Sequence, residues 1–310
     1  MAPFGAILRR LSPAPLSVHL ILIASAVCFA ALPVVGRLVV GDIPPGGIVM
    51  ARMTGGAILF AVIAWRRGTL RLDRRDLPLI VACALMGNVI NQEMFVHALA
   101  HTTATNAVVI GSTIPVFTLL VALVLGRETL RLHRAVGMAL AFTGVMILVG
   151  ADELSLSSDH FVGSVLVLIN ALSYGAYLVV VRPLATRYDP FALLAIMFTC
   201  GLPIAIPIGV VELAGAPPLV AGDYGFLAFL IAVPTVAAYG LTQLALRRAE
   251  SSLVAAYIYL QPVFAAIGAM IVLGEELGPR TLACGAIVLA GVWLAARTPG
   301  ARPSRPTSSA

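Results

Sequence analysis

The sequence contains one pattern of residues twice. Residues 98 to 150 match the stretch that lies 147 positions later, without a gap. Because Pro, Phe and Glu keep the same spacing, chance agreement in a chain rich in Ala, Leu and Val is a poor explanation. The chain is therefore two copies of one module, and its fold has to accommodate both. The first copy has Ala98-Leu99, Pro115-Val116-Phe117, Ala122, Glu128, Leu130, Ala139 and Gly144-Val145, and the second has Ala245-Leu246, Pro262-Val263-Phe264, Ala269, Glu275, Leu277, Ala286 and Gly291-Val292.

The composition is that of a membrane protein. Hydrophobic residues make up 60% of the 310 residues and charged residues only 11%, whereas soluble domains carry about 25% charged residues. A helix needs roughly 20 apolar residues to cross the hydrocarbon core of a bilayer. We therefore predict an all-α integral membrane protein with ten transmembrane helices. The ten apolar segments are residues 16 to 39, 46 to 65, 77 to 99, 102 to 125, 134 to 150, 161 to 182, 191 to 213, 225 to 246, 252 to 273 and 281 to 297.

The arginines predict how these segments are oriented. Cytoplasmic loops of membrane proteins carry an excess of basic residues, and here the arginines fall almost entirely in the loops of one side. Both termini then lie in the cytoplasm. The net charge of +6 is explained by this topology, so no nucleic-acid partner is expected. The basic side has Arg9, Arg10, Arg66, Arg67, Arg71, Arg74, Arg75, Arg127, Arg131, Arg134, Arg182, Arg187, Arg247, Arg248, Arg297, Arg302 and Arg305.

Five spans in each copy is an odd number, so the second copy enters the membrane upside down. The predicted fold is an inverted 5+5 repeat. Such repeats are common in secondary transporters, because exchanging the conformations of two related halves exchanges the side on which a central site is open. We divide the chain into a cytoplasmic N-terminus (1–15), a first repeat (16–150), a second repeat (161–297) and a disordered cytoplasmic tail (298–310) that is rich in Pro, Ser and Arg.

No established sequence motif indicates a cofactor, a metal site or a catalytic residue. The four cysteines lie inside apolar runs without paired spacing, which argues against disulfides or a zinc site. The sequence has no metalloprotease, serine hydrolase or phosphate-binding glycine motif.

The repeated motifs resemble a known family. The pattern A-L-x-x-T, P-V-F, L-G-R-E and G-x-x-x-A-x-x-G-V, followed in the second copy by P-V-F, L-G-E-E and G-V, is similar to the EamA-type transporters of the drug/metabolite transporter superfamily. The resemblance covers nearly all of the chain. It implies ten helices in an inverted 5+5 repeat, a central cavity lined mainly by spans 1 to 4 and 6 to 9, and peripheral spans 5 and 10. Known relatives export amino acids and other small metabolites across the bacterial inner membrane.

Span 3 carries the most informative polar face. Asn88, Asn91, Gln92 and Phe95 are spaced i, i+3, i+4 and i+7, so on a helix they share one side. Polar side chains at membrane depth are costly and need a reason. Two interpretations are open: the face lines a water-filled cavity, which we favour, or its amides hold neighbouring helices together by hydrogen bonds.

Another face of span 3 carries ionisable residues. Glu93, His97 and His101 follow one another at i+4 steps, and such groups can transfer protons or bind a transition metal. In a third interpretation Glu93 pairs with a cation such as Arg52, while both histidines approach the outer interface. We name Glu93 and His97 as the candidate coupling residues.

The second half supplies aromatic rings, hydroxyls and amides. Such a surface suits a small amphipathic solute, since a ring packs on tyrosine faces while polar ends bond to amides. For each tyrosine the alternative is a position in the interfacial belt. The predicted cavity residues of this half are Tyr174, Tyr177, Tyr239, Gln243, Tyr257 and Gln261.

Three further positions are candidates for function. Arg52 lies about six residues into span 2 and either binds a substrate carboxylate or has a structural role. Pro115 and Pro262 occupy equivalent places in the two copies. A proline inside a helix removes a backbone hydrogen bond. We predict that both are hinges; the alternative is that each produces a static kink.

The sequence therefore predicts a multi-pass transporter of the bacterial inner membrane that works by alternating access. We expect it to export amino acids, with aromatic and hydrophobic ones favoured, or similar small metabolites. Its partners are a small-molecule substrate and the lipid bilayer; both monomer and homodimer fit the sequence. The alternatives are a transporter or importer of another metabolite, a metal-dependent intramembrane enzyme with its site at Glu93, His97 and His101, and a membrane interaction protein that transports nothing.

Overall fold

The computed structural model describes residues 15–39, 43–102, 107, 110–149, 158–273 and 279–297. In these ranges the regular structure is helical. Six helices are long and apolar enough to cross a membrane, and four shorter apolar helices accompany them. An all-helical membrane protein is thereby confirmed. That all ten helices cross the bilayer, and that both termini are cytoplasmic, stays a prediction, and most of the predicted terminal segments lie outside the described residues.

Each predicted apolar segment contains one principal helix, which we number in chain order. Two of them, α3 and α8, include a wide π-helical turn, and α9 has two parts joined by a tight 3₁₀ turn. The helices are α1 (Leu16–Val39), α2 (Pro45–Arg66), α3 (Arg74–Ala98), α4 (Ile114–Val124), α5 (Leu132–Val149), α6 (Ser158–Val180), α7 (Pro190–Ala214), α8 (Ala221–Leu246), α9 (Ser251–Ala256 and Leu260–Leu273) and α10 (Pro279–Ala296).

The irregularities of the helices repeat with the sequence. The π-helical turn of α3 occupies Leu85–Ile90, and that of α8 occupies Ala232–Ala237, which is the 147-residue offset of the motifs. A turn at Ser112 and Thr113 precedes α4, and the 3₁₀ turn Tyr257–Tyr259 interrupts α9 at the corresponding place. π-helical turns are rare in proteins, and those that occur are often found at functional sites. Their presence at equivalent places in both halves supports the internal repeat and indicates a functional role.

The helices also pack in repeat-related pairs. The contacts of α1 with α8 and α9 correspond to those of α6 with α3 and α4. The two most extensive packings join equivalent helices of the two halves, α2 with α7 and α5 with α10. The two halves are therefore interleaved around a shared centre, and each half completes the packing of the other.

Glycine sets the distance between α5 and α10. A Cβ atom at Gly137 would lie 2.4 Å from the backbone nitrogen of Ala295, and one at Gly291 would lie 2.4 Å from that of Ala141. No side chain fits at either position without moving the backbone. Small residues let helix backbones approach closely in membranes, and here they fasten the peripheral helices of the two halves.

A buried ionic network joins the halves at the arginine-rich end. Arg134, at the start of α5, is only 6% exposed. Its Nη1 lies 3.1 Å from an oxygen of Glu128 and also bonds Glu250 in the loop before α9. The same Nη1 donates to the Ser252 hydroxyl at 2.8 Å, and the Ser252 amide donates to Glu128 at 3.1 Å. Glu128 therefore links its own half to the hairpin of the other.

A second, exposed contact between the halves lies at the same end. Arg187 donates to Asp76 at 2.7 Å, and the Tyr188 hydroxyl donates to the same carboxylate. This hydrogen bond to Asp76 raises the pKa of the Tyr188 phenol. Exposed ion pairs contribute little to stability. Breaking the buried network would cost more, because it would leave an unpaired charge inside the protein.

Candidate substrate cavity

A cavity lies between the two halves, near the middle of the helices. Residues of α1, α2, α3, α6, α8 and α9 line it, together with residues just before and at the start of α4. The space open to the centres of water molecules is about 150 Å³. Six of the ten residues predicted for a cavity lie in its wall, namely Asn91, Gln92, Phe95, Tyr174, Tyr239 and Gln261.

The π-helical turn of α3 helps to build this wall. A wider turn changes which backbone carbonyls find a partner within the helix. Here the carbonyl of Met86 accepts a hydrogen bond from Ser173 at 2.9 Å, and that of Gly87 accepts one from Tyr239 at 3.4 Å. Side chains of α6 and α8 are thereby bonded to the backbone of α3 on the arginine-rich side of the cavity.

Asn91 is the polar centre of the contact between α3 and the second half. Its Oδ1 accepts a hydrogen bond from the Tyr239 hydroxyl at 2.9 Å. Its backbone carbonyl accepts a second from Nδ2 of Asn170 at 2.6 Å. Asn170 also lines the cavity. The position of each amide is thus set by a partner on a different helix.

Aromatic rings form the apolar side of the wall. The ring of Tyr239 is 5.4 Å from that of Phe29 and 6.4 Å from that of Tyr174, both in edge-to-face geometry. Phe198 packs behind it at 5.4 Å. Edge-to-face contacts hold rings in defined orientations, so the cavity presents a fixed aromatic surface beside its amides.

Arg52 contributes the charge in the wall. It is 2% exposed and lines the cavity. Its Nε donates to the Thr235 hydroxyl at 2.9 Å, and Nη2 lies 3.5 Å from the Pro234 carbonyl. Both partners belong to the π-helical turn of α8. The suggested pairing of Arg52 with Glu93 is absent among the described ion pairs, because the guanidinium is engaged by α8.

Four predicted cavity residues lie outside the wall, namely Asn88, Tyr177, Gln243 and Tyr257. Asn88 is fully buried within the π-helical turn, where the 3.6-residue period that placed it beside Asn91 does not apply. Tyr177 and Gln243 are fully buried and bonded to each other, with Nε2 of Gln243 donating to the Tyr177 hydroxyl. They lie one turn along α6 and α8 from Tyr174 and Tyr239, in the packed layer towards the arginine-rich end.

Tyr257 borders a second, smaller cavity. This space adjoins the first, and Phe29, Tyr174 and Gln261 are shared by both. The Tyr257 hydroxyl is 2.5 Å from Nδ1 of His19 on α1. Tyr257 therefore faces the interior of the protein, but beside the main cavity.

The predicted coupling residues form a cluster away from the cavity wall. Glu93 is 4% exposed, and one carboxylate oxygen lies 3.4 Å from Nδ1 of His97. Nε2 of His97 lies 2.8 Å from Glu212, near the end of α7. Glu212 in turn accepts a hydrogen bond at 2.7 Å from the backbone amide of Gly46, at the start of α2. Three helices from both halves meet at this cluster.

The sequence missed the part that Glu212 plays in this cluster. An acidic residue in the last turn of an apolar helix was the available signal, but its partner could be known only from the packing of α7 against α2 and α3. The described residues contain no group of three or more His, Cys, Asp or Glu side chains arranged to hold a metal ion.

Neither predicted hinge proline interrupts a regular helix at its middle. Pro115 stands in the first turn of α4, where its missing N–H is an unpaired position anyway. Pro262 lies just after the 3₁₀ turn of α9 and lines the cavity. The break in each span is therefore the turn before the proline.

The structure has two interleaved helical halves around a central cavity with aromatic, amide and guanidinium groups. This architecture is typical of membrane transport proteins. Sequence comparison identifies the family. The EamA-like transporter family matches residues 16–150 and 161–297, and this chain belongs to that family.

Individual relatives agree with this assignment. An uncharacterized transporter of Archaeoglobus fulgidus is 29% identical over 279 residues, covering 89% of this chain and 96% of that protein. A probable terminal-alkyne amino-acid exporter of Streptantibioticus cattleyicolor is 28% identical over 252 residues, covering 80% and 82%. A crystal structure with 18% identity has the same fold, with a TM-score of 0.78 over 90% of this chain and 96% of that one.

Proposed function

We propose that this protein is a secondary transporter of the bacterial inner membrane that exports amino acids, with aromatic and hydrophobic ones favoured, or similar small metabolites. The observation that carries the proposal is the cavity between the halves. It combines an aromatic and aliphatic wall with amides, hydroxyls and a guanidinium. Such a lining suits a small solute with one apolar part and one polar part. The relative named as an amino-acid exporter supports the same substrate class.

The mechanism we propose is alternating access by an inverted repeat of ten spanning helices with both termini in the cytoplasm. Between the cavity and the arginine-rich end, Ser25 of the first half is bonded to Thr242 of the second half at 2.8 Å, and Tyr177 is bonded to Gln243 within the second half. We assign to this layer the closure of the cytoplasmic side of the cavity. When the halves exchange conformations, the bond between Ser25 and Thr242 separates, with the turns before Pro115 and Pro262 as hinges.

Proton coupling is assigned to the cluster of Glu93, His97 and Glu212. Both carboxylate oxygens of Glu93 are buried without a hydrogen-bond partner in the described structure. A carboxylate at membrane depth that lacks a full set of partners is a functional candidate. Because the cluster ties α3 to α7 and α2, a change in its charge alters the contact between the halves.

Purified protein in liposomes tests the proposed function. We expect protein-dependent, saturable flux of labelled aromatic or aliphatic amino acids, and an imposed pH gradient should change its rate. Flux of another metabolite class with none of any amino acid would overturn the substrate assignment while keeping transport. Absence of flux across the whole panel would contradict the transport function itself.

A further inference from the structure

Arg52 is a buried cation that faces the cavity without an anionic partner. Of its five N–H donors, two point at the neutral acceptors Thr235 and Pro234. Nη1 makes no hydrogen bond to the residues that the structure describes, and no carboxylate of that part of the chain forms an ion pair with the guanidinium. The described residues of the cavity wall include no Asp or Glu. The described part of the wall therefore carries one positive charge.

A charge in this position needs compensation. Burying a cation away from water is costly unless it is paired, and a structural arginine would be expected to have a carboxylate beside it. Thr235 and Pro234 hold the guanidinium in place but do not neutralise it. An anion that enters the cavity would supply the missing charge, and a planar guanidinium can bind a carboxylate through two parallel hydrogen bonds.

Gln92 provides a second, independent observation. It lines the same cavity and is 2% exposed, and its Oε1 is buried without a hydrogen-bond partner among the described residues. Its Nε2 lies 3.5 Å from the sulfur of Met53. A buried amide oxygen that no protein group satisfies is a position at which a donor from a ligand can bind. Met53 follows Arg52 on α2, so both unsatisfied groups lie where α2 and α3 pack together.

We infer that Arg52 recognises a substrate carboxylate and that Gln92 accepts a hydrogen bond from the substrate's amino group. The inference rests on the proposed function and narrows its substrates to compounds that carry a carboxylate. The two contacts differ in strength, because the first pairs full charges while the second offers a neutral acceptor to an ammonium group. The carboxylate is therefore the required group, and loss of the amino group is tolerated.

Three probes that share a phenyl ring on a two-carbon chain separate these contributions. They are L-phenylalanine, 3-phenylpropionate, which lacks the amino group, and 2-phenylethylamine, which lacks the carboxylate. Binding to the purified full-length protein is measured by titration calorimetry. We expect 3-phenylpropionate to bind about 2-fold to 10-fold more weakly than phenylalanine. We expect 2-phenylethylamine to bind at least about 100-fold more weakly.

Variants of Arg52 test the residue assignment. Arg52→Gln should weaken phenylalanine binding by about 10-fold to 100-fold. Arg52→Lys keeps the charge but loses the planar fork, so it should bind the probes in the wild-type order with a smaller loss. Arg66→Gln is the matched control, since Arg66 is exposed at the far end of the same helix and its removal should leave all three affinities unchanged.

The outcomes are distinguishable. Phenylalanine binding that is unchanged in Arg52→Gln, or amine binding as tight as carboxylate binding, overturns the inference and leaves the transport function intact. Lack of binding by all three probes to the folded wild-type protein contradicts both the inference and the proposed preference for aromatic amino acids. If Arg52→Gln does not fold, the order of affinities in Arg52→Lys decides.

Discussion

At the scale of single residues, the cavity depends on polar side chains whose partners come from other helices. Helical spacing was sufficient to predict that Asn91, Gln92 and Phe95 share a face. The same spacing misplaced Asn88, because the π-helical turn Leu85–Ile90 shifts the register and nothing in the sequence marks that turn. The sequence also does not show where the cavity ends towards the arginine-rich side. Tyr177 lies outside the cavity and is bonded to Gln243, 66 residues later in the chain.

Glu93 is the residue at which proton coupling is most directly tested. We expect Glu93→Gln to retain exchange of substrate across liposome membranes but to lose the stimulation by an imposed pH gradient, because glutamine keeps the shape and cannot bind a proton. Asp223→Asn is a suitable control, since Asp223 is also buried but hydrogen-bonds the Val220 backbone amide at the start of α8. Full pH dependence in Glu93→Gln would exclude Glu93 as the coupling group.

At the scale of helices, the internal repeat extends beyond the sequence motifs to the irregular turns of the helices. Segment positions follow from hydropathy, and each predicted segment contains one of the helices α1 to α10, although the ends of the helices differ from the predicted bounds. The paired π-helical turns and the paired turns before Pro115 and Pro262 could not be predicted, because they depend on how α3, α4, α8 and α9 pack around the cavity. Which residues of α5 and α10 meet, Gly137 with Ala295 and Gly291 with Ala141, follows only from the point at which the two helices cross.

The crossing of α5 and α10 predicts a contrast between two glycines of the same helix. Gly291→Ala should destabilise the protein by about 1 to 3 kcal/mol, because its Cβ would lie 2.4 Å from the Ala141 nitrogen and 2.7 Å from the Gly137 oxygen. Gly285→Ala should be neutral or stabilising, since among the described residues its Cβ would contact Val263 alone, at 3.7 Å, and alanine favours a helix. Thermal unfolding in detergent measures both. Equal unfolding temperatures for the two variants would contradict the packing described.

At the scale of the whole molecule, the two halves are held together differently at the two ends. The arginine-rich end has the buried network around Arg134, whereas α2, α3 and α7 meet at the cluster of Glu93, His97 and Glu212. Removing one partner of a buried ion pair leaves an uncompensated charge and is strongly destabilising to that contact. Each of these two contacts therefore stabilises the arrangement of the halves in which it forms.

Loss of the buried network should shift the protein towards a conformation open to the cytoplasm. We expect Glu250→Gln to increase the labelling of Ala26→Cys by a charged thiol reagent applied from the arginine-rich side, in a background whose four cysteines are replaced by alanine. Ala26 is 3% exposed and lines the smaller cavity, so labelling reports opening of the protein on the arginine-rich side of the main cavity. Arg187→Gln, which breaks an exposed pair at the same end, should change labelling little. Equal labelling in Glu250→Gln and the unsubstituted background would show that the network does not hold the cytoplasmic side closed.

Counterflow in liposomes tests the central claim, alternating access to one central cavity, most directly. Liposomes that contain the protein are loaded with unlabelled phenylalanine and diluted into a trace of labelled phenylalanine. A carrier exposes its site to one side at a time, and inside the liposome the unlabelled phenylalanine occupies most of the sites. Little labelled phenylalanine is therefore carried back out, so it should accumulate transiently above its external concentration. The account predicts this overshoot in the wild-type protein and its absence from protein-free liposomes. Labelled phenylalanine that enters only to its external concentration, with no overshoot, would contradict alternating access and indicate a passive pore.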